Sequence, residues 1–191
     1  MSLRLVRLDC ASCGSSLRGD PHDILFMCAH CGAGSVLGAE GLETVETTAL
    51  LPASGRRAQL WKPAWVLETE VEVSGRVRAD GRPTDGSRGE RRFVIPAFAL
   101  PLSSLVALAR ALSSPAREPG EVPRAPVPGG TLSVDDARTF VRFLVVSEEV
   151  ARGDTIASVE VGVEVVRYRL AALPFEQDGR ELRCAVSGVK V

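Results

Sequence analysis

Four of the five cysteines fall in two short runs, Cys10-Ala11-Ser12-Cys13-Gly14 and Cys28-Ala29-His30-Cys31-Gly32, with 14 residues between Cys13 and Cys28. A C-x-x-C turn aims two sulfurs at one point, and two such turns supply the four thiolates of a tetrahedral site with bonds of about 2.3 Å. Glycine after the second cysteine permits the positive φ that this turn requires. The chemistry expected of Cys10, Cys13, Cys28 and Cys31 is the binding of one structural zinc ion. Four sulfurs fill the coordination sphere and leave no position for a catalytic water. Disulfides or a redox pair fit less well, because both pairs stand at metal spacing. Iron uses the same turns, but the short separation and the scarcity of aromatics near these cysteines favour zinc. His30, inside the second turn, and His22 are read as surface residues. Cys184 alternates with Leu182 and Val186 and is read as a small buried residue.

The elements that must present these turns are short. Leu3-Arg4-Leu5-Val6-Arg7-Leu8 leads into the first and Ile24-Leu25-Phe26-Met27 into the second, and each is expected as a strand. Two C-x-x-C-G turns on such flanks resemble the zinc-ribbon family over residues 3–47. The resemblance implies a small N-terminal zinc ribbon, placed at residues 1–50.

Residues 51–191 read as a second domain, mostly antiparallel β with two helices, so the fold class is α+β. From Val66 to Ala79 apolar and charged residues alternate strictly, which is the period of a strand. The turn-rich ADGRPTDGSRG follows, and Arg92-Phe93-Val94-Ile95 is the expected return strand of a hairpin. Leu102–Leu112 has helical spacing, with Ser103 or Ser104 as N-cap. Residues 113–130 are Pro-rich and are expected as a linker or surface loop. Ser133 caps a second helix with Asp135 and Asp136 in its first turn. Gly153 is its expected stop, and Val145-Val146 an earlier exit. Val159, Val161, Val163 and Val165 alternate on a long strand whose phase slips at Val165-Val166, as at a β-bulge. Glu181–Val186 is the last expected strand.

Three segments repeat a Pro-plus-aromatic pattern: Lys62-Pro63-Ala64-Trp65, Ile95-Pro96-Ala97-Phe98 and Leu173-Pro174-Phe175. They are read as strand punctuation, with a duplicated β unit as the sharper alternative. The order of ribbon, Trp61-Lys62-Pro63-Ala64-Trp65 and Val94-Ile95-Pro96-Ala97-Phe98 is similar to uncharacterised bacterial zinc-ribbon proteins, a resemblance that implies no particular activity.

The composition, 45% hydrophobic and 25% charged, is that of a soluble globular chain. No apolar run approaches the roughly 18–20 residues of a membrane helix. The N-terminal MSLRLVRLDC leaves too little room for a signal peptide before the first cysteine, so a cytoplasmic location is expected. No phosphate loop, dinucleotide fingerprint, nucleophile elbow or H-E-x-x-H is present, and residues 51–191 contain no histidine. The acid pairs Asp135-Asp136 and Glu148-Glu149 are attributed to capping and solvation. An enzyme is therefore not expected. A net charge of −1 lacks the basic excess of a general nucleic-acid binder.

Two function classes remain. The first is an adaptor or assembly component acting through protein–protein contacts, with Trp61 and Trp65 as candidate anchors, since Trp is enriched in binding hot spots, core packing being the plainer reading of both. The second is nucleic-acid binding by the arginine-rich hairpin 76–92, with Arg88, Arg91 and Arg92 as phosphate contacts. Asp80, Asp85 and Glu90 are interleaved there and weaken the second reading.

Overall fold

The apolar run between the two cysteine turns forms β1 (Leu25–Met27) in the computed structural model. With β2 (Gly34–Gly38) and β3 (Gly41–Val45) it makes a three-stranded antiparallel sheet in that order. The structure describes residues 6–113, 119–152, 156–179 and 181–191. Before the first turn a single antiparallel bridge, Asp9 to Ser16, stands where a strand is expected; Leu3–Leu5 lie outside the described residues.

The second sheet begins with β4 (Thr47–Leu50) and continues through β5 (Leu60–Arg78) and β6 (Ser87–Pro96). Then follow α1 (Leu102–Ser113), β7 (Pro119–Gly120), α2 (Val134–Ala151), β8 (Ile156–Asp178) and β9 (Glu181–Cys184). Strand order is β6-β5-β8-β4-β7, with β9 beside β8. All of these pairings are antiparallel except β4 with β8. The fold is α+β and mostly antiparallel. No helix among the described residues is long and apolar enough to cross a membrane.

Several expected boundaries move, each for a local reason. β5 starts at Leu60, not Val66, and runs through Pro63. The Pro63 carbonyl accepts from the Ala97 amide beyond the end of the β6 register, which starts at Ala64. The proline's missing N–H points the same way and costs the sheet no bond. α1 starts at Leu102 with the Leu105 amide on the Pro101 carbonyl, so Ser103 and Ser104 sit inside the first turn and cap nothing. α2 is capped as expected: the Asp136 amide donates to Ser133 Oγ at 3.1 Å. It continues past Val145-Val146 to Ala151; Gly153 lies outside the described residues. Arg167 pairs with Glu68 but Val165 with Thr69, so Val166 is the bulged residue where the alternation slips.

The large sheet has an apolar cluster on each face. Trp65, Leu67, Val71 and Val73 face α2 residues Val141, Leu144 and Val145, and Leu25 and Met27 of β1 join the same cluster. Ala64, Val66 and Val94 point the other way, against Leu108 and Leu112 of α1 and Phe175 and Cys184. Full burial of such side chains stabilises by about 1.5–3 kcal/mol each. The Pro-plus-aromatic segments gather at one end of the sheet, with Trp61 opposite Pro174 and Ala64 opposite Pro96. Their aromatics divide: Trp65 lies in the α2-side cluster, while Phe98 and Phe175 meet edge-to-face at 5.8 Å on the other.

The stretch expected as a loop at 113–130 is, where described, a packed strap. Pro119–Gly120 pairs with β4, Val127 is buried, and Gly130 bridges Leu25. The division drawn at residue 50 falls directly after β4, a strand of the large sheet. Strap, β1 and β4 all cross between the two parts.

Candidate metal centre

The two cysteine turns are built alike. In the first, the Gly14 amide donates to the Cys10 carbonyl and the Cys10 amide to the Ser15 carbonyl, both at 2.8 Å. In the second, Gly32 to Cys28 and Cys28 to Ala33 repeat those bonds at the same distance. Gly14 and Gly32 have φ of 72° and 79°, the left-handed backbone the sequence assigned to them. Gly32 has a second constraint, because a Cβ there would lie 3.2 Å from Val122 of the strap.

The four sulfurs all lie within 4.8 Å of one another. Cys10 and Cys31 stand 3.6 Å apart, and so do Cys13 and Cys28. Tetrahedral sulfurs about 2.3 Å from one ion would be separated by about 3.8 Å, whereas a disulfide needs about 2.05 Å. The donor set therefore fits one metal ion without rearrangement. Cys10 and Cys28 are buried, and Cys13 and Cys31 face solvent. The site is thus anchored on one side and open on the other.

Electrostatics point the same way. Ser15 Oγ lies 3.4 Å from Cys13 Sγ. The hydrogen bonds of Ser15, side chain first and then backbone, lower the Cys13 thiol to about 6. At Cys31 the Ala33 amide acts to lower the thiol, but Cys13, burial, Cys10 and Cys28 outweigh it and push it to about 12. Four sulfurs this close cannot all ionise without a cation among them, and a bound metal removes that conflict.

Neither histidine joins the cluster: His22 and His30 are both exposed. The second turn is buttressed by Thr47 at the start of β4, whose Oγ1 donates to the Gly32 carbonyl at 3.0 Å. Thr47 and Val122 carry no signal in the sequence. Their contacts join segments remote along the chain, which spacing cannot reveal.

The other candidate residues are scattered. Trp65 is fully buried, its Nε1 donating to the Leu132 carbonyl at 2.8 Å, so of its two readings the core one holds and it is removed as a candidate anchor. The alternation that made it visible is the core face of β5. Trp61 is half-buried against the same cluster. Arg88 donates to Glu70 at 2.7 Å. Arg91 bonds Glu148 at 2.8 Å and lies 4.7 Å over the Phe93 ring. Arg92 stands opposite Glu68, and burial, then the charge of Arg169, lower its guanidinium. The three are not held in one site: Glu70, which binds Arg88, lies on the sheet face turned away from α2, whereas Glu148, which binds Arg91, belongs to α2. Glu149, expected to be solvated, is buried between Arg76 at 3.3 Å and Arg152 at 2.8 Å. It lies on the inward stripe of α2, so helix phase decides its burial rather than its nearness to the helix end.

Compared with known proteins, the chain matches no family model, no curated protein and no solved structure.

Proposed function

We propose that this chain is a non-enzymatic adaptor or assembly component acting through protein–protein contacts. Its N-terminal part would be a zinc ribbon holding one structural zinc ion on Cys10, Cys13, Cys28 and Cys31. The observation that carries the reading is the saturated four-sulfur donor set, which leaves a bound ion no position for water or substrate. Soft thiolates in a tetrahedral set favour zinc over oxygen-seeking ions. All five cysteines are free of disulfides, which fits a reducing, cytoplasmic compartment.

Nucleic-acid binding draws less support from the hairpin arginines. Glu70, Glu148 and Glu149 already hold Arg88, Arg91 and Arg76, and a phosphate would have to compete for them. The test is a tagged pull-down from native cells with and without nuclease, beside a metal assay of the purified chain. Stoichiometric protein partners that survive nuclease, with one zinc per chain, support the proposal. Partners lost on digestion, with a steeply salt-dependent affinity abolished by Arg91→Ala plus Arg92→Ala, would replace it with nucleic-acid binding.

A further inference from the structure

β8 has one side without a strand over most of its length. β5 lines the other side, while β4 reaches the open side only at Leu170–Ala172 and β9 only at Phe175–Asp178. Among the described residues no strand pairs with that side between Ile156 and Arg169. Unpaired edges present a row of N–H and C=O groups and are normally guarded. Guards stand at both ends here. Upstream, Arg142 of α2 donates Nε to the Val161 carbonyl at 2.9 Å. Downstream, the Leu170 amide donates to the Glu46 carbonyl at 2.9 Å. Between them Val163 to Tyr168 stays open, and it holds two exposed apolar residues, Val166 at 70% and Tyr168 at 46%.

The backbone directions in this window follow from its guards. Residues two apart on a strand turn their amide groups the same way. Counting from Val161, Val163 and Val165 face the open side; counting back from Leu170, so does Tyr168. The bulge at Val166 reconciles the two counts. Side chains on the sheet face turned away from α2, the open face, run acidic and then basic: Glu160 and Glu164, then Arg167 and Arg169, in register with Ser74, Glu70, Glu68 and Val66. Arg167 and Arg169 bond Glu46 and Glu68, but neither Glu160 nor Glu164 is held by an ion pair among the described residues.

We infer that this edge pairs with the same edge of a second copy of the chain, antiparallel, about a twofold axis between Val165 and Val166. A strand with an acidic half and a basic half is complementary to itself only when antiparallel; parallel pairing sets Glu against Glu. In this register Glu164 faces the second copy's Arg167 on the open face, and Val163 faces the second copy's Tyr168 on the α2 side. Val163 and Tyr168 both turn their amides outward, so the two form a doubly bonded pair across the axis. The bulge, which elsewhere disrupts an edge, here brings the outward residues on either side of the axis into step. The dimer goes beyond the adaptor reading and does not depend on it.

The test is sedimentation velocity of the full chain over about a hundredfold dilution. The wild type is expected to dissociate from dimer to monomer. Glu164→Arg and Arg167→Glu should each weaken the dimer about tenfold or more through like-charge contacts. An equimolar mixture of the two variants should dimerise again, because both contacts are then between opposite charges. Glu164 is exposed on the open face, so its reversal leaves the fold intact even if Arg167→Glu disturbs Glu46. A wild type monomeric throughout, or a dimer whose affinity Glu164→Arg leaves unchanged, overturns the inference. So does a monomer whose edge is taken by a different protein, with that capture lost in Glu164→Arg.

Discussion

Leu25 and Gly130 exchange both of their backbone hydrogen bonds: the Leu25 amide donates to the Gly130 carbonyl at 3.1 Å, and the Gly130 amide to the Leu25 carbonyl at 3.0 Å. Leu25 lies three residues before Cys28, and Gly130 three before Ser133, the cap of α2. Between Gly130 and that cap, the Thr131 amide bonds the Ala97 carbonyl at 2.8 Å and the Leu132 carbonyl receives Trp65 Nε1. An unbroken line of contacts therefore runs from the second cysteine turn to the centre of the large sheet. Local unfolding spreads along such connections and halts where they are missing.

Metal removal should for this reason disturb more than the cysteine turns. Chelation is expected to red-shift the fluorescence of Trp65 and to lower the midpoint of one cooperative transition for the whole chain. Because the ligands belong to the folded state, binding free energy adds to folding free energy. Fluorescence and calorimetry, with and without chelator, check this. Unchanged far-UV and fluorescence spectra would remove the metal assignment. A separate low-temperature transition with Trp fluorescence intact would keep the metal and remove the coupling.

Gly130→Ala probes the bridge alone. A Cβ there would lie 2.7 Å from the Ala97 carbonyl oxygen and 2.9 Å from Leu25 Cδ1. The carbonyl is backbone and cannot move aside, so the expected cost is about 1–3 kcal/mol. Gly89→Ala is the control: it meets nothing within 4 Å and should stay within about 0.5 kcal/mol of wild type. Urea titrations of both variants decide it, and equal midpoints would show that the strap yields.

What could be read from the sequence was what repeats or is spaced locally. The clustering of the four cysteines, the Ser133 cap and the slip at Val166 are each visible within a few residues, and the structure places each as expected. Long-range choices were not visible. Thr47–Leu50 reads as the tail of the N-terminal module, yet it joins β8 in parallel through Thr47 opposite Leu170. No local pattern reports a partner so far along the chain. Lys62-Pro63 reads as strand punctuation because proline lacks an amide, and only the end of β6 makes it tolerable inside β5. Trp65 was offered as an anchor because residue type alone cannot tell a hot spot from a core.

Glu149 gives a prediction that composition would miss. Its side chain is only 4% exposed, against 13% for Arg76 and 60% for Arg152. Deleting one member of a buried ion pair strands the other charge, which is worse than lacking the pair. Glu149→Ala should therefore cost about 3 kcal/mol and Glu149→Gln less, since the amide still accepts a hydrogen bond. Glu148→Ala, whose partner Arg91 is more exposed, should cost under about 1 kcal/mol. Thermal midpoints of the three variants test the order, and equal losses at both positions would contradict the burial argument.

Acid should weaken the fold by two routes that salt separates. Hydrogen bonding from Arg88 holds Glu70 below its ordinary carboxylate range, and Lys190 does the same for Glu181. A carboxylate whose pKa falls on folding stabilises above its unfolded value, and that stabilisation is lost as pH drops through the lower folded value. Both groups lie in water, so about 1 M salt should erase this part of the pH dependence. Protonation of the four thiolates on metal release follows another rule, since the ligands bind only when deprotonated. That loss should persist in salt and vanish once the metal is chelated beforehand. Thermal midpoints between pH 3 and pH 7, at about 0.05 and about 1 M salt and with or without chelator, resolve the two. An acid limb that salt flattens completely in the metal-loaded chain would mean that the cysteine cluster adds nothing to stability.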